Sequence, residues 1–127
     1  MKKLISAITI STLFLTGCGS SGATNLGAAD FQAKSAESGV LILDVRTGGE
    51  YMAGHIANAI NIDVEGMTFD ADIAKLDKSK TYAVYCHSGR RSGIAVGKMA
   101  DVGFTSLFNL DGGIQVWQGA GLPLVTQ

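Results

Sequence analysis

An apolar stretch that ends at a cysteine and turns through a glycine into a helical pattern constrains this chain more than any other feature. The run is Val84-Tyr85-Cys86-His87-Ser88-Gly89-Arg90-Arg91-Ser92. Residues 81–85 read as a strand, and a helical pattern opens at Ser92 and runs to Val102 before the stop at Gly103. A strand that ends in Cys and turns sharply into a helix aims the thiol at converging backbone N–H groups and the positive end of a helix dipole. Those surroundings favour the thiolate, which is the nucleophile, and Arg90 and Arg91 add positive charge. A buried free cysteine ordinarily acts as a small hydrophobe. An inert core cysteine, however, needs neither the glycine nor the two arginines. The run is therefore read as a catalytic cysteine loop, with Cys86 as nucleophile and residues His87, Ser88, Gly89, Arg90, Arg91 and Ser92 forming a small-anion site.

The rest of the chain supplies the frame for that loop. Residues 28–38 read as a helix ended by Gly39. Val40-Leu41-Ile42-Leu43 is a continuous apolar run, as in a strand buried on both faces, and it ends in Asp44-Val45-Arg46. Residues 50–53 suggest a short helical turn, 59–62 a short strand, 69–76 a helix and 106–110 the last strand. Asp111-Gly112-Gly113 and a short helix through Trp117 follow. Gly93 and Gly97, four apart in the helix after the loop, are expected to let that helix approach the sheet closely. Apolar strands alternating with helices imply an α/β fold with a mainly parallel central sheet and helices on both faces. Ligands of such sheets bind beyond the C-terminal strand ends, where Asp44, Cys86 and Asp111 all fall.

The N-terminus reads as processing signal rather than fold. Lys2 and Lys3 precede an apolar stretch over 4–15, too short to span a bilayer and suited to a signal-peptide core. Leu15-Thr16-Gly17-Cys18 resembles a bacterial lipobox. The expectation is cleavage after residue 17 and lipidation of Cys18. Several acyl chains on one residue anchor a protein stably. Gly19, in place of an aspartate retention signal, points to the outer membrane, facing the periplasm. Taking 17 from 127 leaves 110 residues, and losing Lys2 and Lys3 moves the formal charge from −1 to −3. Residues 18–24 are then a lipidated, flexible tether, and residues 25–127 one domain. Seven residues to Asn25 reach at most about 25 Å, so the domain lies close to the membrane. With Cys18 acylated, Cys86 has no partner in the chain, and a lone thiol in an oxidising compartment invites oxidation unless its chemistry needs it. The charge gives no case for nucleic acid, and no His/Cys cluster has metal-ligand spacing.

Three ordered motifs carry a resemblance to the single-domain rhodanese, or thiosulfate sulfurtransferase, family. Asp44-Val45-Arg46 through Glu50-Tyr51 to Gly54-His55-Ile56 resembles its N-terminal signature. Cys86 to Ser92 resembles its active loop. Gly112-Gly113 with Trp117, then Gly121-Leu122-Pro123, resembles its C-terminal signature. Ile114 stands where many relatives carry an aromatic residue, and Gly48-Gly49 loosens the segment before Glu50. The resemblance implies a rhodanese-like fold and a two-step transfer through a Cys86 persulfide, from thiosulfate or a similar sulfur-containing anion to a thiol or cyanide acceptor. It implies no cofactor or metal, and it names no protein partner.

The residues around the loop allow further roles. Arg91 suits either sulfite-like oxygens or closure of the loop onto the scaffold, with Arg90 facing solvent. Asp44 and Arg46 are expected to support the site as a pair rather than perform chemistry. His55 is expected to hold the turn after Gly54, His87 to tune the mouth or line it, and Trp117 to lie in the core. A cysteine phosphatase is the nearest enzyme rival, but its loop has five residues between Cys and Arg, where this chain has only His87, Ser88, Gly89 and Arg90. A non-catalytic sulfur-carrier or binding module is the rival of a different class.

Overall fold

A computed structural model describes residues 22–127. The expected leader, Cys18 and the segment before Gly22 lie outside the described residues. Five strands form one parallel sheet, ordered β1-β5-β4-β2-β3. They are β1 (Ala23–Leu26), β2 (Val40–Asp44), β3 (Ile60–Asn61), β4 (Thr81–Tyr85) and β5 (Ser106–Leu110). The helices are α1 (Ala28–Ser35), α2 (Gly48–Ala53), α3 (Phe69–Ala74), α4 (Arg90–Asp101) and α5 (Gly113–Gly119).

The central strands are apolar at successive positions because both faces of the sheet are covered. Leu43, Tyr82, Val84 and Leu107 face a core completed by Phe69 and Ile73 of α3 and by Ala95, Val96 and Met99 of α4. Ile42, Ala83, Tyr85 and Leu110 face a second core with Phe31 of α1 and with Ile114 and Trp117 of α5. Phe31 meets the rings of both Tyr85 and Trp117 edge-on, at centroid distances of 6.4 and 6.3 Å. The two cores are the reason helices sit on both faces, and α/β describes the chain as expected.

Two local expectations are corrected. The tether was expected to run through Thr24, but Ala23–Leu26 forms edge strand β1, paired with β5 from Ala23↔Leu107 to Leu26↔Leu110. An edge strand is held by backbone hydrogen bonds and tolerates polar side chains, so Thr24 and Asn25 gave no strand signal. Asn109 Nδ2 donates to Asn25 Oδ1 at 2.9 Å and fixes that pairing. The second correction concerns Gly93 and Gly97. A Cβ at either would meet nothing within 4 Å, so neither sits at a close helix–sheet contact. The face of α4 that packs on the sheet is Ser92, Ala95, Val96 and Met99.

Candidate active site

Strand β4 delivers Cys86, fully buried, to the C-terminal rim of the sheet, and α4 starts four residues later at Arg90. The helix therefore opens two residues before the expected Ser92. Gly89 is its N-cap in the left-handed region, at φ 101°. A side chain there would be strained, and a Cβ would lie 3.2 Å from the backbone nitrogen of Gly112.

The loop is shaped by what holds its carbonyls. Ile114 N–H donates to the Cys86 carbonyl at 2.8 Å, and Gln115 N–H to the His87 carbonyl at 3.3 Å. These are among the first N–H groups of α5, which have no partner within their own helix. A trans peptide points its N–H opposite its C=O. Holding the His87 carbonyl toward α5 thus turns the Ser88 N–H toward the sulfur. Gly89 N–H donates to Cys86 Sγ at 3.0 Å, and the Ser92 hydroxyl lies 3.3 Å from it. Two glycines open α5, the N-cap Gly112 and the first residue Gly113, each where a side chain does not fit. A Cβ on Gly113 would fall 2.4 Å from the carbonyl carbon and oxygen of His87, and one on Gly112 would fall 2.4 Å from Val116 Cγ1.

Burial pushes the Cys86 thiol up. Hydrogen bonds from the Ser92 side chain and from the backbone N–H groups of Ser92, Gly89 and Ser88 outweigh it, and the net shift is below the ordinary thiol value. Direct donors hold this charge more than the arginines credited from sequence. Arg90 is exposed at the surface. Arg91 is spent on a carboxylate: its Nη1 and Nη2 reach Glu50 Oε1 and Oε2 at 2.8 and 2.9 Å. Its Nε lies 3.8 Å from Glu65 Oε1. A bidentate pair of this kind closes the loop onto α2. The Arg91 hydrogen bonds hold the Glu50 carboxyl at about 2.

Glu50 is itself fixed by a capping box, in which Thr47 Oγ1 accepts from Glu50 N–H and the Glu50 carboxylate accepts from Thr47 N–H. Asp44 and Arg46 lie beneath the rim, both buried. Asp44 Oδ1 accepts from Arg46 N–H and Nε at 3.0 and 2.9 Å, and Oδ2 accepts from Arg46 Nη2 at 2.6 Å and Tyr85 Oη at 2.7 Å. Arg46 Nη2 also donates to the Gly54 carbonyl, while Tyr85 Oη accepts from Ile56 N–H. Burial and the Asp44 charge push the Tyr85 hydroxyl far up, so it stays a donor. The cluster ties β2, β4 and the α2–β3 connection together and does not contact Sγ through any of these bonds.

His55 is buried, stacks on Tyr51 at 3.7 Å, and places Nδ1 and Nε2 each 2.8 Å from the carbonyls of Tyr51 and Gln127. His87 is exposed at the mouth, its Nε2 3.0 Å from Gln115 Nε2. A cleft of about 300 Å³ opens beside the loop, with Arg46, Glu50, His87 and Gln118 at its polar side and Ala53, Ile114 and Leu124 at its apolar side. Among the described residues, no three His, Cys, Asp or Glu side chains gather as a metal site. Glu50 and Tyr85 were the partners that sequence left unassigned. The Glu50–Arg91 pair spans 41 positions, and no local spacing reveals it.

The profile of the rhodanese-like domain matches residues 27–120, most of the chain. The chain belongs to the rhodanese-like domain family. Among its relatives, the thiosulfate sulfurtransferase GlpE of Pseudomonas savastanoi pv. phaseolicola is 31% identical over 83 residues, 65% of this chain and 76% of that protein. An uncharacterized Synechocystis protein, slr1261, is 31% identical over 89 residues, but this chain spans only 49% of its length. The crystal structure of a rhodanese-related protein from Thermoplasma volcanium is 34% identical, with a TM-score of 0.72 over 82% of this chain and 99% of that one. This rhodanese-like chain thus has the fold of its family, with Cys86 at the sheet's rim.

Proposed function

We propose that this rhodanese-like protein is a sulfurtransferase that moves a sulfane sulfur through Cys86. The observation that carries the reading is the buried sulfur facing Gly89 N–H and the Ser92 hydroxyl, with its thiol shifted toward the thiolate despite burial. The Cys86 thiolate attacks the outer sulfur of thiosulfate. The donor's S–S bond breaks, its electron pair leaves with sulfite, and Cys86 carries a persulfide anion. An acceptor thiolate or cyanide then attacks the terminal sulfur, the bond to Sγ breaks, and the thiolate returns. Charge resides on sulfur throughout, and preorganised N–H donors stabilise it without reorganisation. Relatives named thiosulfate sulfurtransferase support this donor class.

Arg91 weighs against phosphatase chemistry, because its guanidinium binds Glu50 instead of facing a phosphoryl group. A sulfur carrier would share the persulfide and differ only in its acceptor. Turnover with thiosulfate and cyanide tests the persulfide that both roles require. Thiocyanate should form steadily with the wild type and not with folded Cys86→Ser, and substantial turnover by that variant sinks the mechanism.

The same reading takes residues 1–17 as a cleaved leader and Cys18 as a lipid anchor, holding the domain in the bacterial envelope at the outer membrane, facing the periplasm. The ordered basic, apolar and small-residue parts before Cys18 support it. Detergent partitioning with labelled fatty acid tests it, and unlabelled, water-soluble wild type refutes it.

A further inference from the structure

We propose that the cleft beside the active loop is an acceptor subsite, in which Arg46 Nη1 and the Glu50 carboxylate select small thiols that carry a carboxylate and an ammonium on the same carbon. The inference rests on the persulfide reading of Cys86 and adds the class of acceptor that discharges it.

Arg46 supplies the first argument. It is only 5% exposed, yet it lies on the cleft wall. Its guanidinium is held rigidly. Nε and Nη2 donate to Asp44, Nη2 also donates to the Gly54 carbonyl at 2.7 Å, and Cζ lies 5.6 Å from the centroid of the Tyr85 ring. Nη1 makes no hydrogen bond among the described residues. The enclosed side-chain polar atom left without a partner among them is Asn109 Oδ1, so Nη1 opens to the cleft instead of being sealed in the core. A fixed guanidinium edge with free N–H donors suits an anionic oxygen.

Glu50 supplies the second argument. Its carboxylate lies on the same cleft and is 33% exposed. Oε1 is occupied by Thr47 and Arg91, whereas Oε2 accepts only from Arg91 Nη2 and keeps a lone pair. Asp44 answers Arg46 and Arg91 answers Glu50, so the wall is neutral as a whole while presenting a donor and an acceptor. Arg90, the other arginine of the loop, is not on this wall. A neutral wall of this kind offers no net attraction to a dianion such as thiosulfate. It matches a zwitterion, whose carboxylate meets Nη1 and whose ammonium meets Oε2. Ala53, Ile114 and Leu124 give the apolar side on which a methylene can rest. At about 300 Å³ the cleft is at the small end of ligand sites, which suits a molecule of amino-acid size.

His87 and Ile114 connect the cleft to the sulfur. His87 follows Cys86 in the chain, Ile114 N–H holds the Cys86 carbonyl, and both side chains line the cleft. Sγ is buried, and the outer sulfur of a persulfide lies one S–S bond, about 2.0 Å, beyond it. The acceptor thiolate attacks that outer sulfur. The bond to Sγ breaks, its electron pair returns to Cys86, and the acceptor leaves as a persulfide. Holding the acceptor at both of its charges orients the thiolate and speeds this step. A cysteine within a peptide carries neither charge on its α-carbon and gains nothing from the wall.

Discharge of a preformed persulfide tests the subsite. The full chain is loaded with thiosulfate, freed of excess donor and mixed with cysteine, cysteine methyl ester, N-acetylcysteine or N-acetylcysteine amide. The rate is read as return to the starting intact mass. Each rate is taken per thiolate and divided by the same thiol's rate with a small disulfide in free solution, which removes intrinsic nucleophilicity. Cysteine should lead, with the methyl ester about tenfold slower, since a hydrogen bond between charged groups is worth about that factor. N-acetylcysteine should be a few-fold slower, because Glu50 is partly exposed, and the doubly blocked amide should be slowest. Arg46→Lys keeps a cation for Asp44 but loses the guanidinium fork. It should bring cysteine and its methyl ester to within about twofold of each other. That ratio is internal, so a variant that loads slowly still reports it, and if the variant does not fold the ranking of the four thiols decides alone. Equal corrected rates for the four thiols overturn the subsite while the persulfide stands. A lead of cysteine over its ester that Arg46→Lys preserves overturns the role of Arg46. Failure of the wild type to load refutes the transfer reading and the subsite with it.

Discussion

Replacing Ser92 by alanine isolates the donor that does most to hold charge on Cys86. The Ser92 hydroxyl lies 3.3 Å from Sγ and 3.2 Å from the Gly89 carbonyl, so its single proton can serve either. With a neutral thiol it can remain on the carbonyl, and with a thiolate it turns to sulfur. A hydrogen bond to a charged group is worth about 1.5–3 kcal/mol, against about 0.5–1.5 for a neutral one. The difference, about 1–1.5 kcal/mol, is what separates the two protonation states, and one pKa unit is about 1.4 kcal/mol. Ser92→Ala should therefore raise the Cys86 midpoint by about one unit. The Gly89 and Ser88 N–H groups remain, so the thiol should not revert fully. The assay is the iodoacetamide rate against pH on the reduced protein. Near neutral pH the variant should react about threefold more slowly, because the roughly tenfold loss of thiolate is partly offset by the greater nucleophilicity of a more basic thiolate, and above both midpoints its rate should equal or exceed that of the wild type by up to about threefold. An unchanged midpoint in a folded variant refutes the assignment of Ser92 as a charge-holding donor.

Arg91→Ala should lower sulfur transfer by about tenfold, roughly 1.4 kcal/mol in the barrier, whereas Arg90→Ala stays near wild type; equal losses remove the distinction between loop closure and bystander charge. The Glu50 carboxyl, held at about 2 against an ordinary 4.5, stabilises the fold fully above pH 4.5, and that contribution is lost as pH falls toward 2. With the carboxyl one-third exposed, solvent screening limits it to about 1 kcal/mol. Urea melts of wild type and Glu50→Gln should converge across that window, and a constant gap contradicts the pairing. Tyr85→Phe leaves Ile56 N–H without its acceptor and Asp44 without one donor, which costs about 1–3 kcal/mol. Thermal melting should drop by about 4–8 °C per kcal/mol, and a shift under about 2 °C shows the cluster is dispensable.

The parts of the fold legible in sequence are those with local signals. Strands β2, β4 and β5 are buried on both faces, so each is an apolar run, and the cysteine, glycine and arginines of the active loop lie within seven positions. β1 carries no such signal because an edge strand stabilised by backbone pairing can read Thr24-Asn25. The buried face of α4 does not follow from Gly93 and Gly97, because two glycines four apart fix a spacing but not a phase. Ser92 with Ala95, Val96 and Met99 sets the buried side, and the glycines fall off it. The bond from Arg91 to Glu50, the grip of α5 on the Cys86 and His87 carbonyls, and the link from Tyr85 to Asp44 each join segments far apart in sequence. Such contacts exist only after the sheet brings the strand ends to one rim.

The most direct measurement of the central claim is the intact mass of the reduced chain before and after thiosulfate. The account predicts a gain of one sulfur atom, located at Cys86 by peptide mapping, absent from Cys86→Ser, and discharged by cyanide with return to the starting mass. A wild-type mass that thiosulfate leaves unchanged, or a sulfur gained equally by Cys86→Ser, contradicts the persulfide mechanism.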